Sequence, residues 1–172
     1  MQYLLNKSYF YDLETMKELF SGVFIEKDSG EQKTFIISKN INQLQELISF
    51  ISQKPKLIGF NNIAFDAQVI QYIWDNKVLL LRLSTNEVVN KIYTFVQKRL
   101  IERKENEFLP YKKEEFICYN LDIYKMLHLD GKAKRCSLKW CEFMMNWENV
   151  QDMPIHHSSS ISEKEIDSII EY

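Results

Sequence analysis

The chain has 172 residues, 45% of them hydrophobic, and a formal net charge of −2. That length and apolar content support one globular domain with a real core; the near-neutral balance supplies no global pull toward nucleic acid, so any such binding rests on local patches. No apolar run approaches the roughly 18 residues that span a bilayer, and the N-terminus lacks the basic-then-apolar pattern of a secretory signal, which together point to a soluble cytoplasmic protein.

In chain order, the first strand is predicted at about Ser8 to Leu13, inside the stretch Tyr9-Phe10-Tyr11-Asp12-Leu13-Glu14-Thr15. Alternate side chains of a strand share a face, so Asp12 and Glu14 project side by side. Two hard oxygen donors held that close suit Mg²⁺ or Mn²⁺. The plainer reading is a strand that ends at a solvated turn. Residues 22–27 and 33–38 are β-rich and flank Asp28-Ser29-Gly30, a hairpin turn signal. Asn40 is predicted to cap a helix whose Ile41, Leu44, Leu47, Ile48 and Ile51 keep helical spacing. Pro55 stops it, and a short strand, Lys56 to Phe60, comes next.

Asn61 to Asp66 then opens a helix with Phe65, Val69, Tyr72 and Ile73 on one face. Asp66 is either an ordinary N-terminal carboxylate or a third metal ligand beside the sheet edge that carries Asp12 and Glu14. A long helix is predicted from Ser84 to about Lys104, opened by the capping box Ser84-x-x-Glu87 and striped by Val88, Val89, Ile92, Val96 and Leu100. Its basic end (Lys98, Arg99, Arg103, Lys104) is ordinary for a helix C-terminus. A strand is expected over Glu115 to Asn120, with Asp122 capping the helix after it. The turn around Lys132, Lys134 and Arg135 is the best local candidate for phosphate contacts, with a solvated loop as the alternative.

Asp12-Leu13-Glu14-Thr15 followed by Asn61-(x)₃-Phe65-Asp66 resembles the first two motifs of the DEDD 3′→5′ exonucleases, in the form found in the proofreading domains of family B and phage-type DNA polymerases. The resemblance continues in the Ser-Leu-Lys-Trp helix at Ser137 and in Asp152-Met153-Pro154-Ile155. It implies an α/β, RNase H-like fold in which a mixed sheet of about five strands is flanked by helices. It implies that Asp12, Glu14 and Asp66 hold two divalent metal ions, Mg or Mn. Thr15, Asn61 and Phe65 would lie against the DNA, and the partner would be the 3′ end of a single strand. A polymerase domain C-terminal in the same chain and a role in phage DNA replication are implied by the same likeness, which would place the protein in the host cytoplasm.

Ser137 to Asn146 reads as a helix with Leu138, Trp140, Cys141, Phe143 and Met144 apolar. The cysteines, Cys118, Cys136 and Cys141, are an odd set that fits reduced thiols. Cys136-(x)₄-Cys141 has no matching histidine pair or second cysteine pair, so zinc is disfavoured. Ser162-x-x-Glu165 begins a last helix with Ile166, Ile169 and Ile170. The family's third motif is Tyr-(x)₃-Asp on such a helix; Tyr172 sits where the tyrosine belongs, and the sequence stops before the aspartate. The expectation is an N-terminal fragment of a longer chain, possessing three of four carboxylates, with Tyr172 orienting the attacking water. Two other readings stay open: an RNase H-like nuclease acting on RNA, and a non-catalytic interaction domain that kept the fold.

Overall fold

A computed structural model describes residues 6–104, 107–127, 137–148, 150 and 163–171. Five strands, β1 (Ser8–Thr15), β2 (Leu19–Glu26), β3 (Gln32–Ser38), β4 (Lys56–Gly59) and β5 (Tyr119–Asp122), form one mixed sheet in the order β3-β2-β1-β4-β5. The helices are α1 (Leu44–Ser52), α2 (Asp66–Asp75), α3 (Lys77–Leu80), α4 (Thr85–Val96), α5 (Ile123–Leu127), α6 (Leu138–Met144) and α7 (Glu163–Glu171). The protein is therefore α/β, a mixed sheet flanked by helices. None of the described helices is long and apolar enough to cross a membrane.

The first three strands form an antiparallel meander. Its second turn closes where predicted. Gly30 takes φ +72, a left-handed conformation that costs glycine little, and the buried Glu26 carboxylate accepts from Asp28 N and Ser29 N at 3.2 and 2.9 Å. β4 and β5 then run parallel to β1, each reached through a helical connection, as parallel pairing requires. The β1–β4 ladder spans only Ser8–Phe10 against Lys56–Ile58. Beyond it β1 continues on β2 alone, so the two parallel strands part at their C-terminal ends.

One face of the sheet carries the main core. Tyr9, Tyr11 and Leu13 of β1 point there with Phe24, Phe35 and Leu57, against Leu47 and Phe50 of α1, Val69 and Ile73 of α2, and Val88 and Ile92 of α4. Phe50 stands edge-on to Tyr9 and Phe24 at ring separations of 5.1 and 4.8 Å, a favoured aromatic geometry. A second small cluster joins Ile166 and Ile169 of α7 to Met16, in the turn that leaves β1, and to Leu19, which opens β2.

Several boundaries differ from the sequence reading. Asn40 does not cap α1. Residues 38–43 wrap tightly instead: Ser38 N donates to Ile41 O, Ile36 N donates to the Gln43 side chain at 2.7 Å, and Asn42 Oδ1 takes Leu44 N at 3.2 Å. The helix therefore starts at Leu44 and leaves Ile41 at the surface. The α-helical part of the Ser84 helix ends at Val96, where a π-helical turn, Gln97–Ile101, begins; Ser84 and Glu87 do form the predicted capping box. β1 runs two residues further than predicted, to Thr15, which brings Glu14 inside the strand. β5 starts at Tyr119, because residues 113–115 form a 3₁₀ turn.

Candidate active site

Strand alternation settles where the first two carboxylates point. Along β1 the buried residues are Tyr9, Tyr11, Leu13 and Thr15, so Asp12 and Glu14 share the opposite face. They stand beside Val23 and Ser21 of β2. Asp12 is exposed and Glu14 half-buried. Asp66 reaches the same place from α2. It is the first residue of that helix, 6% exposed, and its Oδ1 accepts from the backbone N of Leu13 at 3.2 Å. Leu13 is the residue between Asp12 and Glu14. Its N–H is free because β4 has already left the edge of β1. The early end of the parallel ladder thus lets a helix-borne carboxylate dock between the two strand-borne ones.

The electrostatics derive from that packing. Burial raises the Asp66 carboxyl well above its usual range, and Asp12 and then Glu14 add like-charge repulsion; backbone donors oppose them. Glu14 is pushed up to about 8, first by burial and then by Asp12. Asp12 is raised by loss of solvent, against one backbone hydrogen bond at Leu13; because its side chain still reaches water, Asp66 bears the heavier cost. None of the three has an ion pair among the described residues. Like-charged groups without a cation either hold protons or recruit one.

The donor set, three carboxylates and no nitrogen or sulfur, has the chemistry that hard divalent cations take. Among the described residues, however, no three His, Cys, Asp or Glu side chains converge closely enough to hold an ion.

The remaining predicted residues divide. Thr15 closes β1, 8% exposed, one residue past Glu14. Asn61 is exposed with φ +57, and its backbone N donates to Asp122 Oδ1 at 2.9 Å. Phe65 is half-buried against the core, so part of its ring is packed and only the rest is open to solvent. Lys132, Lys134, Arg135 and Tyr172 lie outside the described residues, as do Cys136, Ser162 and the stretch from Asp152 to Ile155. Cys118 is a buried thiol pushed up to about 12 by burial, which makes it inert as a nucleophile. α6 is capped by Ser137, whose Oγ accepts from Trp140 N, and Leu138, Trp140, Phe143 and Met144 on it are exposed.

Asp122 corrects the sequence reading most clearly. Its carboxylate turns back to the loop before α2, accepting from Asn61 N at 2.9 Å and Ile63 N at 3.3 Å. Around it lies a polar set that sequence reasoning missed. Tyr11 Oη donates to Asn120 Oδ1 at 3.0 Å, and Asn62 Nδ2 donates to Leu121 O at 3.3 Å. Gln68 of α2 exchanges two bonds with the backbone of Tyr111, and Gln71 takes Ile117 N at 2.7 Å. Gly59 makes room for the loop: a Cβ there would meet Asn62 Cβ at 2.9 Å and the Tyr11 ring at 3.1 Å. The available signal was the pair Asn120 and Asp122, polar residues two apart on a strand. Compared with known proteins, the chain matches no family model, no curated protein and no solved structure.

Proposed function

We propose that this chain is a metal-dependent 3′→5′ exonuclease unit of RNase H-like fold, acting on the 3′ end of single-stranded DNA as the proofreading part of a phage-type DNA polymerase. One observation carries the reading. Asp66 is bonded to the backbone between Asp12 and Glu14, which brings a third carboxylate to the end of β1 where two parallel strands part. That is where open α/β sheets place their ligands. The docking of α7 on Met16 and Leu19 supports it, since the helix that leads to Tyr172 leaves from the carboxylate end of β1.

Asp12, Glu14 and Asp66 would hold two Mg or Mn ions, which supply an activated water and charge stabilisation for the departing 3′ oxygen. The chain's own contribution is placement. β1 fixes Asp12 and Glu14 on one face, and the Leu13 amide orients Asp66. Phe65 and Asn61, from the loop before α2, would meet the DNA, and Tyr172 would orient the water. The reaction is hydrolysis: the water oxygen forms the new bond to phosphorus, the bond to the 3′ oxygen breaks, that oxygen takes a proton, and a nucleoside monophosphate leaves.

The spread of the three carboxylates favours a rival, a non-catalytic domain that kept the fold. Digestion of DNA and RNA oligonucleotides labelled at either end separates the readings. The native protein should shorten DNA from its 3′ end in Mg²⁺ or Mn²⁺ and stop in EDTA. Digestion that persists in EDTA, or is unaltered by Asp12→Ala, rules out the carboxylates as the site. No digestion of either polymer leaves the interaction domain, and preference for RNA assigns the alternative substrate.

A further inference from the structure

At the C-terminal ends of β4 and β5 lies an open depression of about 160 Å³ lined by Ile63, Lys113, Asp122, Lys125 and Met126, among others. That is far above the ~10–15 Å³ that admits one water. Lys113 comes from the 3₁₀ turn before β5 and Lys125 from α5 after it. Both are exposed, and neither has an ion pair among the described residues. The carboxylate in the lining is Asp122, and both its oxygens are taken by the amides of Asn61 and Ile63. It is 3% exposed, so its charge is turned into the loop rather than toward the lysines. Two ammonium groups, without an ion pair among the described residues, thus line one hollow whose acid is already satisfied.

Position gives the hollow its meaning. Ile63 belongs to the same short loop that delivers Asp66, and β5 lies two strands from β1, about 10 Å across the sheet. We infer that Lys113 and Lys125 form a phosphate subsite that holds the backbone of the substrate strand next to the nucleotide being removed. This rests on the exonuclease reading for the identity of the strand, though not for the presence of the site. Lysine suits the task as a point charge that accepts any phosphate without reading sequence. Because the loop from Asn61 to Phe65 is anchored by Asp122, the subsite and the carboxylates are held in fixed relation.

The test is equilibrium binding of a fluorescent oligothymidylate to the native protein in EDTA, so that metal binding plays no part, across a series of salt concentrations. Lys113→Gln, Lys125→Gln and the double variant are compared with Lys39→Gln, which removes the same charge beyond β3 at the far side of the sheet. The logarithmic salt slope should fall by about 0.7 for each subsite lysine removed and stay unchanged for Lys39→Gln. Competition by inorganic phosphate and by a nucleoside monophosphate identifies the source. Weak competition by both, against tight binding of the oligonucleotide, marks a strand phosphate. Strong, lysine-dependent competition by the monophosphate marks a product site and overturns the strand assignment. Equal slopes in all variants, or no binding in EDTA at low salt, overturn the subsite altogether. Loss of cleavage in Asp12→Ala with lysine-dependent slopes supports both the subsite and the exonuclease reading. Lysine-dependent slopes with metal-independent cleavage support the subsite and remove only the carboxylate reading.

Discussion

Two strands of this protein carry the same local pattern, a polar residue, a leucine and an acid, and put it to opposite use. In β1 it is Asp12-Leu13-Glu14, and in β5 it is Asn120-Leu121-Asp122. The sheet register turns the leucine of the first inward and the leucine of the second outward. Tyr9, Leu57 and Asn120 form one row across the strands, and Phe10, Ile58 and Leu121 form the next, on the other face. Asn120 and Asp122 are consequently buried and Asp12 and Glu14 are not. The buried aspartates at the two locations differ in their company. Asp122 gives both oxygens to backbone amides, so it is a structural clamp. Asp66 is about as deeply buried but stands with Asp12 and Glu14, so its charge is costly until something cancels it. A satisfied buried charge is architecture, and a crowded one is a candidate for chemistry.

The sharpest way to break this comparison is to remove one acid from each set. Asp12→Ala should lower the proposed exonuclease activity about a thousandfold or more without lowering the unfolding midpoint, because the side chain is exposed and its charge repels Glu14 and Asp66. A variant within tenfold of the native rate in an end-labelled oligonucleotide assay would take Asp12 out of the chemistry. Asp122→Ala should act first on stability. It strands two amides, at about 1–3 kcal/mol for each one left without a partner. A urea midpoint equal to that of the native protein would show that the clamp contributes nothing.

A subtler effect is expected at Asp66. Asp66→Asn retains an oxygen for the Leu13 amide but removes the repelled charge. In EDTA at pH 8 it should be more stable than the native protein, by about 1 kcal/mol, while losing activity, the usual conflict between stability and function at a charged site. Asp122→Asn should give no such gain. Thermal unfolding compares them directly, and a less stable Asp66→Asn would show that the crowding is not a cost.

The smallest effect is one of pH. Glu14 holds its proton to about 8 in the folded protein against 4.5 in the free side chain. Folding therefore binds a proton between those values, and the metal-free protein should lose stability as pH rises from about 4.5 to about 8. Below that window both states are protonated and the effect vanishes. Glu14→Gln should flatten this decline, and added Mn²⁺ should oppose it most at the alkaline end. A native protein whose melting temperature climbs steadily from pH 5 to 8 in EDTA, with no change in that slope in Glu14→Gln, would contradict the burial of that carboxyl.

Periodicity and turn chemistry located the β1 carboxylates on one face, the hairpin at Gly30, the helix that begins with Asp66 and the capping box at Ser84. Each depends on neighbours within a few residues, where strand alternation, left-handed glycine and cap geometry act. α1 starts later than predicted because Asn42 accepts from Leu44 N in its first turn, while the side chain of Gln43 is tied to a strand residue seven positions before it. What the sequence could not determine was which polar pair would face the core. Asp12 with Glu14 and Asn120 with Asp122 are equivalent as strings, and a shift of one residue in register exchanges the faces. Only the tertiary structure set that register, by pairing Tyr9 with Leu57 and Leu57 with Asn120; it also ended the β1–β4 ladder at Phe10, leaving the Leu13 amide for Asp66. A hydrogen bond between residues 53 positions apart comes from packing a helix against a strand edge, and no local propensity encodes it.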